Sequence, residues 1–203
     1  MERVITYIDG FNLYFGLKSA NLHRYFWLDL HKLSSNLLKK TQQLIRTKYF
    51  TARINGPSDK QKRQSTYIEA IAGLPDTDIY YGKYQLNPQV CRNCKFQNMV
   101  PSEKMTDVNI AVHMLVDAFQ DSCDTLFLVS ADSDLTGPIK AIRGLFPHKR
   151  IVIAFPPHRF SKELAKDAHG YFVIGHKNFA QSLLPETIAK PDGFMLRCPE
   201  KWK

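Results

Sequence analysis

The amino-acid sequence predicts a three-layer α/β domain, with helices on both faces of a mostly parallel central sheet. Two continuous apolar runs, TLFLVS at 125–130 and RIVIAF at 150–155, are typical of strands buried on both faces. Helical patterns alternate with these and other strand-like runs, which predicts right-handed crossovers between parallel strands. A length of 203 residues, 44% of them hydrophobic, is sufficient for one domain with a full core.

The predicted elements of the first half begin with the run VITYI, a strand that ends at Asp9 and Gly10 before a helical pattern over 11–19. Asp29 is placed to cap a second helix that reaches residue 39. The elements that follow are a strand at 44–54, a basic helix at 58–73 and a strand at 78–84.

The second half starts with a segment that lacks periodicity, residues 85–101, which predicts a long loop carrying a CxxC motif. Beyond it, three helices alternate with the strands TLFLVS, RIVIAF and YFVIG. These helices are predicted at 106–120, 135–145 and 161–168. We therefore expect one domain over residues 1–184 and an irregular C-terminal tail over residues 185–203.

The charge balance favours a polyanionic partner, because 28 Lys and Arg against 19 Asp and Glu give a net charge of +9. No stretch approaches the roughly 18 apolar residues of a membrane span, and the start MERVITYIDG does not resemble a signal peptide. The four cysteines are too few and too unevenly spaced for the disulfide framework of a small secreted domain. We expect a cytoplasmic protein without a membrane partner.

Four carboxylates are predicted to gather at the carboxyl ends of the strands, where open parallel sheets bind their ligands. Asp9 ends the first strand, and Asp132 and Asp134 follow TLFLVSA, so the three face one crevice if these strands are neighbours. Asp107 heads the apolar stripe of its helix, where a carboxylate is costly to desolvate unless it is paired or bound to a metal.

Carboxylates that converge without basic partners repel one another unless a cation neutralises them. Oxygen-only ligands suit Mg²⁺ or Mn²⁺, and such ions can activate a water for in-line attack at phosphorus. Simpler interpretations stay open for single residues: Asp9 before Gly10 is a common turn pair, and Asp134 could cap the helix that follows it.

Three segments, in this order, resemble the NYN domain family of the PIN-like nuclease group: YIDGFNLYFGL, KMTDVNIAVHMLVDAF and LFLVSADSDLTGPIKAI. The resemblance implies a PIN-like, Rossmann-like fold and a Mg²⁺- or Mn²⁺-dependent ribonuclease activity. The site residues it implies are Asp9, Asn12, Asp107, Asp132 and Asp134. Where some members carry an acid within the central helix, this chain has His113, which lies about 120° around that helix from Asp107 and whose role stays open.

The expected substrate is RNA, which we expect to be single-stranded. Basic residues that could track its phosphates are Arg53, Lys60, Lys62, Arg63, Arg159 and Lys162. A solvated cationic face explains each of them equally well. Tyr14, Phe15 and Tyr25 could stack on unpaired bases, although aromatic residues at this spacing are more often part of a core.

Cys91 and Cys94 could supply half of a structural zinc site, completed by Cys198, a histidine or a second chain. No second CxxC or Cys-His pair has the usual spacing, so buried thiols without metal are the favoured interpretation.

Two functional classes fit the sequence: a metal-dependent ribonuclease that uses a metal-activated water, and a non-catalytic RNA-binding or regulatory module on the same fold. The clustered acids favour the enzyme, because negative charge beside an RNA backbone brings nothing to a binding module. A phosphatase that uses a DxD nucleophile fits less well, because the first strand is followed by DGFN. The sequence leaves open which RNA is cut, whether cleavage is internal or terminal, and the oligomeric state.

Overall fold

The structure is a computed structural model that describes residues 1–90 and 92–203. Its strands are β1 (Glu2–Asp9), β2 (Gln42–Thr51), β3 (Thr77–Tyr81), β4 (Lys83–Val90), β5 (Gln97–Lys104), β6 (Thr125–Val129), β7 (Arg150–Phe155), β8 (Gly170–Val173), β9 (Thr187–Ala189) and β10 (Met195–Arg197). Its helices are α1 (Gly10–Ser19), α2 (Leu30–Leu37), α3 (Ser58–Ala72), α4 (Thr106–Phe119), α5 (Thr136–Leu145), α6 (Lys162–Asp167) and α7 (His176–Ala180). Single 3₁₀ turns lie at His23–Tyr25, Ser133–Leu135 and Glu200–Trp202.

The central sheet has six parallel strands in the order β3-β2-β1-β6-β7-β8. The chain runs outward from β1 to β3, then crosses back through α4 to place β6 against β1. Strands are added to one side of β1 in the first half of the chain and to its other side in the second half, so the order of addition reverses between β1 and β6. Such a switch point opens a crevice at the carboxyl ends of the strands. The predicted fold class and the assumed adjacency of the two acid-bearing strands are both confirmed.

Helices cover both faces of this sheet and enclose two cores. One core lies under α1, α2, α3 and α7 and includes Leu13, Leu30 and Ile71. The other lies under α4, α5 and α6 and includes Ile110 and Ile139. The strand side chains alternate between the two cores, as the period of a β-strand requires. The three-layer arrangement follows from strands that are apolar on both faces.

The turn from β1 into α1 depends on a close approach that only glycine permits. A Cβ atom on Gly10 would lie 2.6 Å from the hydroxyl oxygen of Tyr49 and 2.8 Å from the carbonyl oxygen of Phe50. Asp9 caps α1 by accepting the amide hydrogen of Asn12. Asp29 caps α2 in the same way through Lys32, and this cap was predicted from the sequence. The first motif, DGFN, is thus a strand end, a tight contact and a helix cap.

The segment predicted as a long loop, 85–101, is different in the structure, where β4 and β5 form an antiparallel hairpin. The described side chains at its end, including Gln89, Val90 and Asn98, are exposed. Where its side chains are described, this hairpin has no buried face, so the alternation of apolar and polar residues that reveals other strands is missing there.

The predicted irregular tail, 185–203, is also wrong. β9 and β10 form a short hairpin, and Leu196 and Cys198 are buried in the first core. Trp202 packs against the rings of Phe26, Trp27 and Tyr67. These elements are too short for a local pattern, and long-range packing holds them. In the described part of the chain, none of the helices has the length and apolar character that crossing a bilayer requires.

Candidate metal centre

Three carboxylates meet at the switch point of the sheet. Asp9 ends β1, Asp107 lies in the first turn of α4, and Asp132 follows β6. Each offers an oxygen, and these oxygens all lie within 4.8 Å of one another. With the side chains of 84–87, 91 and 99–103 set aside, no other group of three or more His, Cys, Asp and Glu side chains has such spacing. Elements far apart in the chain thus place three anionic oxygens around one position.

The Asp9 carboxylate is buried and receives its hydrogen bonds from neutral donors. Its Oδ1 accepts from the backbone amide of Asn12 at 2.9 Å, and its Oδ2 accepts from Asn12 Nδ2 at 2.7 Å and from Ser130 Oγ at 2.9 Å. These bonds fill three of the roughly four acceptor positions of a carboxylate. One position on Oδ1 is left for a further partner.

The electrostatics of Asp9 favour a nearby cation. Burial raises the pKa of its carboxyl group most, and the negative charge of Asp132 raises it further, against the lowering effect of the hydrogen bonds from Asn12 and Ser130. A raised pKa means that the ionised form is held at a cost in free energy. A bound cation would remove that cost.

Ser130 links the two strand-end acids. While its hydroxyl donates to Asp9, its oxygen accepts the amide hydrogen of Asp132 at 3.0 Å. Asp132 in turn caps the 3₁₀ turn that follows, with Oδ1 accepting from the amide of Asp134 at 3.1 Å. Ser130 therefore satisfies a local amide and also orients a carboxylate of the candidate metal site.

The structure separates Asp134 from the three clustered acids. Its side chain is exposed, and the residue lies within the 3₁₀ turn rather than capping α5. Asn12, by contrast, is buried at the centre of the site. Its Oδ1 accepts from the backbone amide of Ala131 at 3.3 Å and from Arg159 Nη1 at 3.2 Å. Asn12 thus connects a candidate ligand to one of the predicted RNA-binding residues.

The donor set fits a hard divalent cation. Three carboxylate oxygens converge, and no sulfur or imidazole ligand is among them. Mg²⁺ and Mn²⁺ prefer oxygen ligands and retain coordinated waters when a protein supplies only a few groups. The cluster could therefore hold either ion.

The other predicted RNA-binding residues differ in their contacts and exposure. Arg53 lies over the ring of Tyr81, and Arg63 pairs with Asp59 at 2.7 Å in α3. Exposed side chains are found at Lys60, Lys62 and Lys162. Of the six predicted residues, Arg159 makes a hydrogen bond into the site, through Oδ1 of Asn12.

The structure describes one of the two cysteines of the CxxC motif, Cys94. Cys94 is exposed, so the expectation of a buried thiol at that position is wrong. Cys91 lies outside the described residues. Cys198, one candidate to complete such a site, is buried in the core beneath the C-terminal hairpin.

Two polar residues of α4, Asp117 and His113, are not members of the cluster. Asp117 is buried and bound to Lys48, with Nζ at 2.7 and 2.9 Å from its carboxylate oxygens. His113 packs against Tyr80, with ring centroids 3.9 Å apart, and against Phe50. Neither is among the clustered ligands.

Comparison with known proteins adds the following. The family model described as NYN domain matches residues 3–176. The 6-hydroxy-3-succinoylpyridine 3-monooxygenase of Pseudomonas putida is 29% identical over 177 residues, covering 70% of this chain and 55% of that protein. The UDP-N-acetylmuramate–L-alanine ligase of Polynucleobacter asymbioticus is 40% identical over 54 residues, covering 27% of this chain and 11% of the ligase.

Among solved structures, the crystal structure of a protein of unknown function from Vibrio parahaemolyticus has a TM-score of 0.55 and 18% sequence identity. The match covers 90% of this chain and 96% of that one, and it supports the fold alone. The chain spans about half the length of the Pseudomonas relative, at 55%, and a small part of the ligase, at 11%.

Proposed function

The chain belongs to the NYN domain family, within the PIN-like nuclease group, and on that premise we propose that it is a divalent-metal-dependent ribonuclease that hydrolyses RNA phosphodiester bonds. The observation that carries the proposal is the cluster of Asp9, Asp107 and Asp132 at the switch point of the sheet. The proposed cofactor is Mg²⁺ or Mn²⁺. The name of the Pseudomonas relative describes that protein and does not enter the proposal.

The roles of the surrounding side chains follow from their contacts. Asp9, Asp107 and Asp132 hold the ion, and Asn12 and Ser130 orient the Asp9 carboxylate, as hydrogen-bond partners of metal ligands commonly do. When bound, such an ion lowers the pKa of a coordinated water and offsets the charge that develops on phosphoryl oxygens. Arg159, anchored on Asn12, is positioned to contact a substrate phosphate.

A cleavage assay tests the proposal. Purified protein is incubated with end-labelled single-stranded RNA in Mg²⁺ or Mn²⁺, with EDTA as the metal-free control. Since a metal contributes several kcal/mol to such a reaction, we expect Asp132→Asn to lower the cleavage rate about a thousandfold. The matched control is Asp76→Asn, which makes the same chemical change at an exposed aspartate that precedes β3.

The outcomes separate the two functional classes. Metal-dependent cleavage that Asp132→Asn removes and Asp76→Asn retains supports the ribonuclease. Tight RNA binding without cleavage in either metal contradicts it and indicates the non-catalytic RNA-binding module. Cleavage that persists in EDTA, or that Asp132→Asn leaves unchanged, contradicts the assigned site.

A further inference from the structure

An exposed aromatic ring lies on α1, the helix that Asp9 caps. Phe15 retains 42% of its surface accessible and Tyr14 39%, whereas Leu13 and Leu17 of the same helix are buried. The rings of Phe11 and Tyr14 pack against Phe15 at centroid distances of 6.3 and 5.2 Å. Phe15 therefore presents an accessible ring, supported by its neighbours, on the helix that begins at the candidate metal centre.

Two cations accompany this ring. The guanidinium carbon of Arg159 lies 5.7 Å from the centroid of Phe15, and Nζ of Lys18 lies 5.9 Å from it. Among the side chains that the structure describes, which exclude those of 84–87, 91 and 99–103, neither cation forms an ion pair with a carboxylate. An aromatic ring with adjacent free positive charge is the combination with which proteins bind single-stranded nucleic acid.

The position of Arg159 is fixed by a close contact between α1 and the loop after β7. A Cβ atom on Gly16 would lie 2.6 Å from Cβ of Pro156 and 2.9 Å from the carbonyl oxygen of Pro157. Because Gly16 lacks that atom, the loop packs directly on the helix. This contact brings a residue that follows β7 alongside Phe15.

Asn12 connects this ring to the acidic cluster. Arg159 Nη1 donates to Asn12 Oδ1 at 3.2 Å, and Asn12 Nδ2 donates to Asp9 Oδ2 at 2.7 Å. One side chain therefore separates the cation from a candidate metal ligand. If a metal ion at the carboxylates held one phosphate of an RNA strand, the next phosphate would lie near Arg159 and a neighbouring base near Phe15.

We propose that Phe15, with Arg159 and Lys18, forms a subsite that stacks an unpaired RNA base next to the cleavage site. The subsite rests on the proposed ribonuclease function and restricts its substrate to RNA that is single-stranded at this position. Bases within a duplex are paired and stacked on one another, so they cannot present a face to Phe15.

The test measures stacking in a protein that does not cleave. In the Asp132→Asn background, binding is measured by fluorescence anisotropy, and stacking by the quenching of 2-aminopurine placed at successive positions of a short single-stranded RNA. Phe15→Leu retains an apolar side chain and removes the ring. The matched control is Phe194→Leu, since Phe194 is also exposed and also has a lysine, Lys190, 5.7 Å from its ring.

We expect Phe15→Leu to weaken single-strand binding about tenfold and to abolish quenching at one position, while Phe194→Leu changes neither. Phe15→Tyr should restore both. Duplex RNA of the same sequence should bind the parent protein and Phe15→Leu equally.

Two results would overturn the subsite. The first is that Phe15→Leu binds and quenches like its parent while its circular dichroism is unchanged. The second is that Phe15→Leu weakens duplex binding as much as single-strand binding. Failure of the ribonuclease proposal is distinguishable, because it appears as an absence of metal-dependent cleavage in the unaltered protein and leaves the stacking measurement intact.

Discussion

Helix α4 carries two aspartates whose negative charges have different neighbours. Asp117, near its end, is buried at 5% exposure and contacts the ammonium group of Lys48 at 2.7 Å and the hydroxyl of Tyr7, which donates at 2.6 Å. Asp107, in its first turn, shares a cluster with Asp9 and Asp132. The same helix thus carries one aspartate that is paired with a lysine and another that lies in a group of three carboxylates.

The difference indicates what each region is for. Lys48 is only 8% exposed, so the ion pair with Asp117 is desolvated on both sides and closed to ligands. Burial, which is the largest effect, and the negative charge of Asp117 raise the pKa of Tyr7 well above its usual value, so its hydroxyl stays protonated and donates to Asp117. At the other end of α4, neutral donors orient Asp9 and leave charge for an external cation to balance. The first region is a paired, closed contact within the fold, and the second is the site to which we assign the metal.

Removing the carboxylate of Asp117 should have the largest effect on stability. Asp117→Ala leaves a buried ammonium group and a buried hydroxyl without their acceptor, and breaking a buried pair in this way costs about 3–5 kcal/mol. Urea denaturation of the metal-free protein measures the loss. Asp107→Ala is the matched variant in the same helix, and it should cost less, because removing one of three clustered carboxylates also relieves the repulsion among them.

A second variant separates charge from packing. Replacing both partners, by Lys48→Met with Asp117→Leu, removes the charges together and should recover the part of the loss that comes from the unpaired ammonium group, although the Tyr7 hydroxyl still lacks its Asp117 acceptor. If the single and double replacements are equally unstable, packing rather than charge pairing accounts for the loss. Equal losses from Asp107→Ala and Asp117→Ala would remove the contrast between the two regions.

The next largest effect is stabilisation by metal, which should depend on one region only. At a free Mn²⁺ concentration 100 times the dissociation constant, binding to the folded state alone adds about 2.7 kcal/mol. We expect this gain in thermal or urea denaturation of the unaltered protein, its reversal by EDTA, and its absence in Asp9→Asn.

The Lys48 and Asp117 double replacement provides the control, because it should gain the same increment from Mn²⁺ as the unaltered protein. A gain that persists in Asp9→Asn would place the ion elsewhere. A double replacement that no longer responds would mean that the two regions are coupled.

The sequence was sufficient for the parts of this contrast that depend on local patterns. TLFLVS and RIVIAF predicted buried parallel strands, and the strand ends therefore predicted where Asp9 and Asp132 would lie. Asp107 was predicted from its position at the head of an apolar helical stripe, and His113 was separated from it by helix geometry. These inferences succeed because the periods of helix and strand fix direction and spacing.

Contacts between distant segments were not predictable in the same way. Lys48 and Asp117 are 69 residues apart in the chain, and no local pattern pairs them. A single 3₁₀ turn after β6 separates the exposed Asp134 from Asp132, although both follow the same strand. Tyr25, considered for base stacking, is buried against Phe179, whereas Phe15 is accessible. Only the assembled tertiary structure distinguishes these neighbours.

The smallest expected effect is a change of stability with pH, and it comes from His113, which lies beside the pair of Lys48 and Asp117. Burial first, and then the charge of Lys48, lowers the pKa of His113 below its ordinary value of 6.5. Above that value the histidine is neutral in both states. As the pH falls from 6.5 through the lowered pKa, the unfolded chain takes up a proton that the folded chain does not, so stability is lost.

Urea denaturation at about pH 7.5 and about pH 5.5 measures that loss against the variant His113→Phe, which keeps an aromatic ring against Tyr80 but does not titrate. We expect a smaller loss in the variant. His169, whose pKa is also lowered by burial, lies away from this region with its Nδ1 accepting from the amide of Ile151, so His169→Gln measures its separate contribution. Equal losses in the unaltered protein and His113→Phe would show that the ion pair tolerates a neighbouring positive charge, and would weaken the distinction between a closed region and an open one.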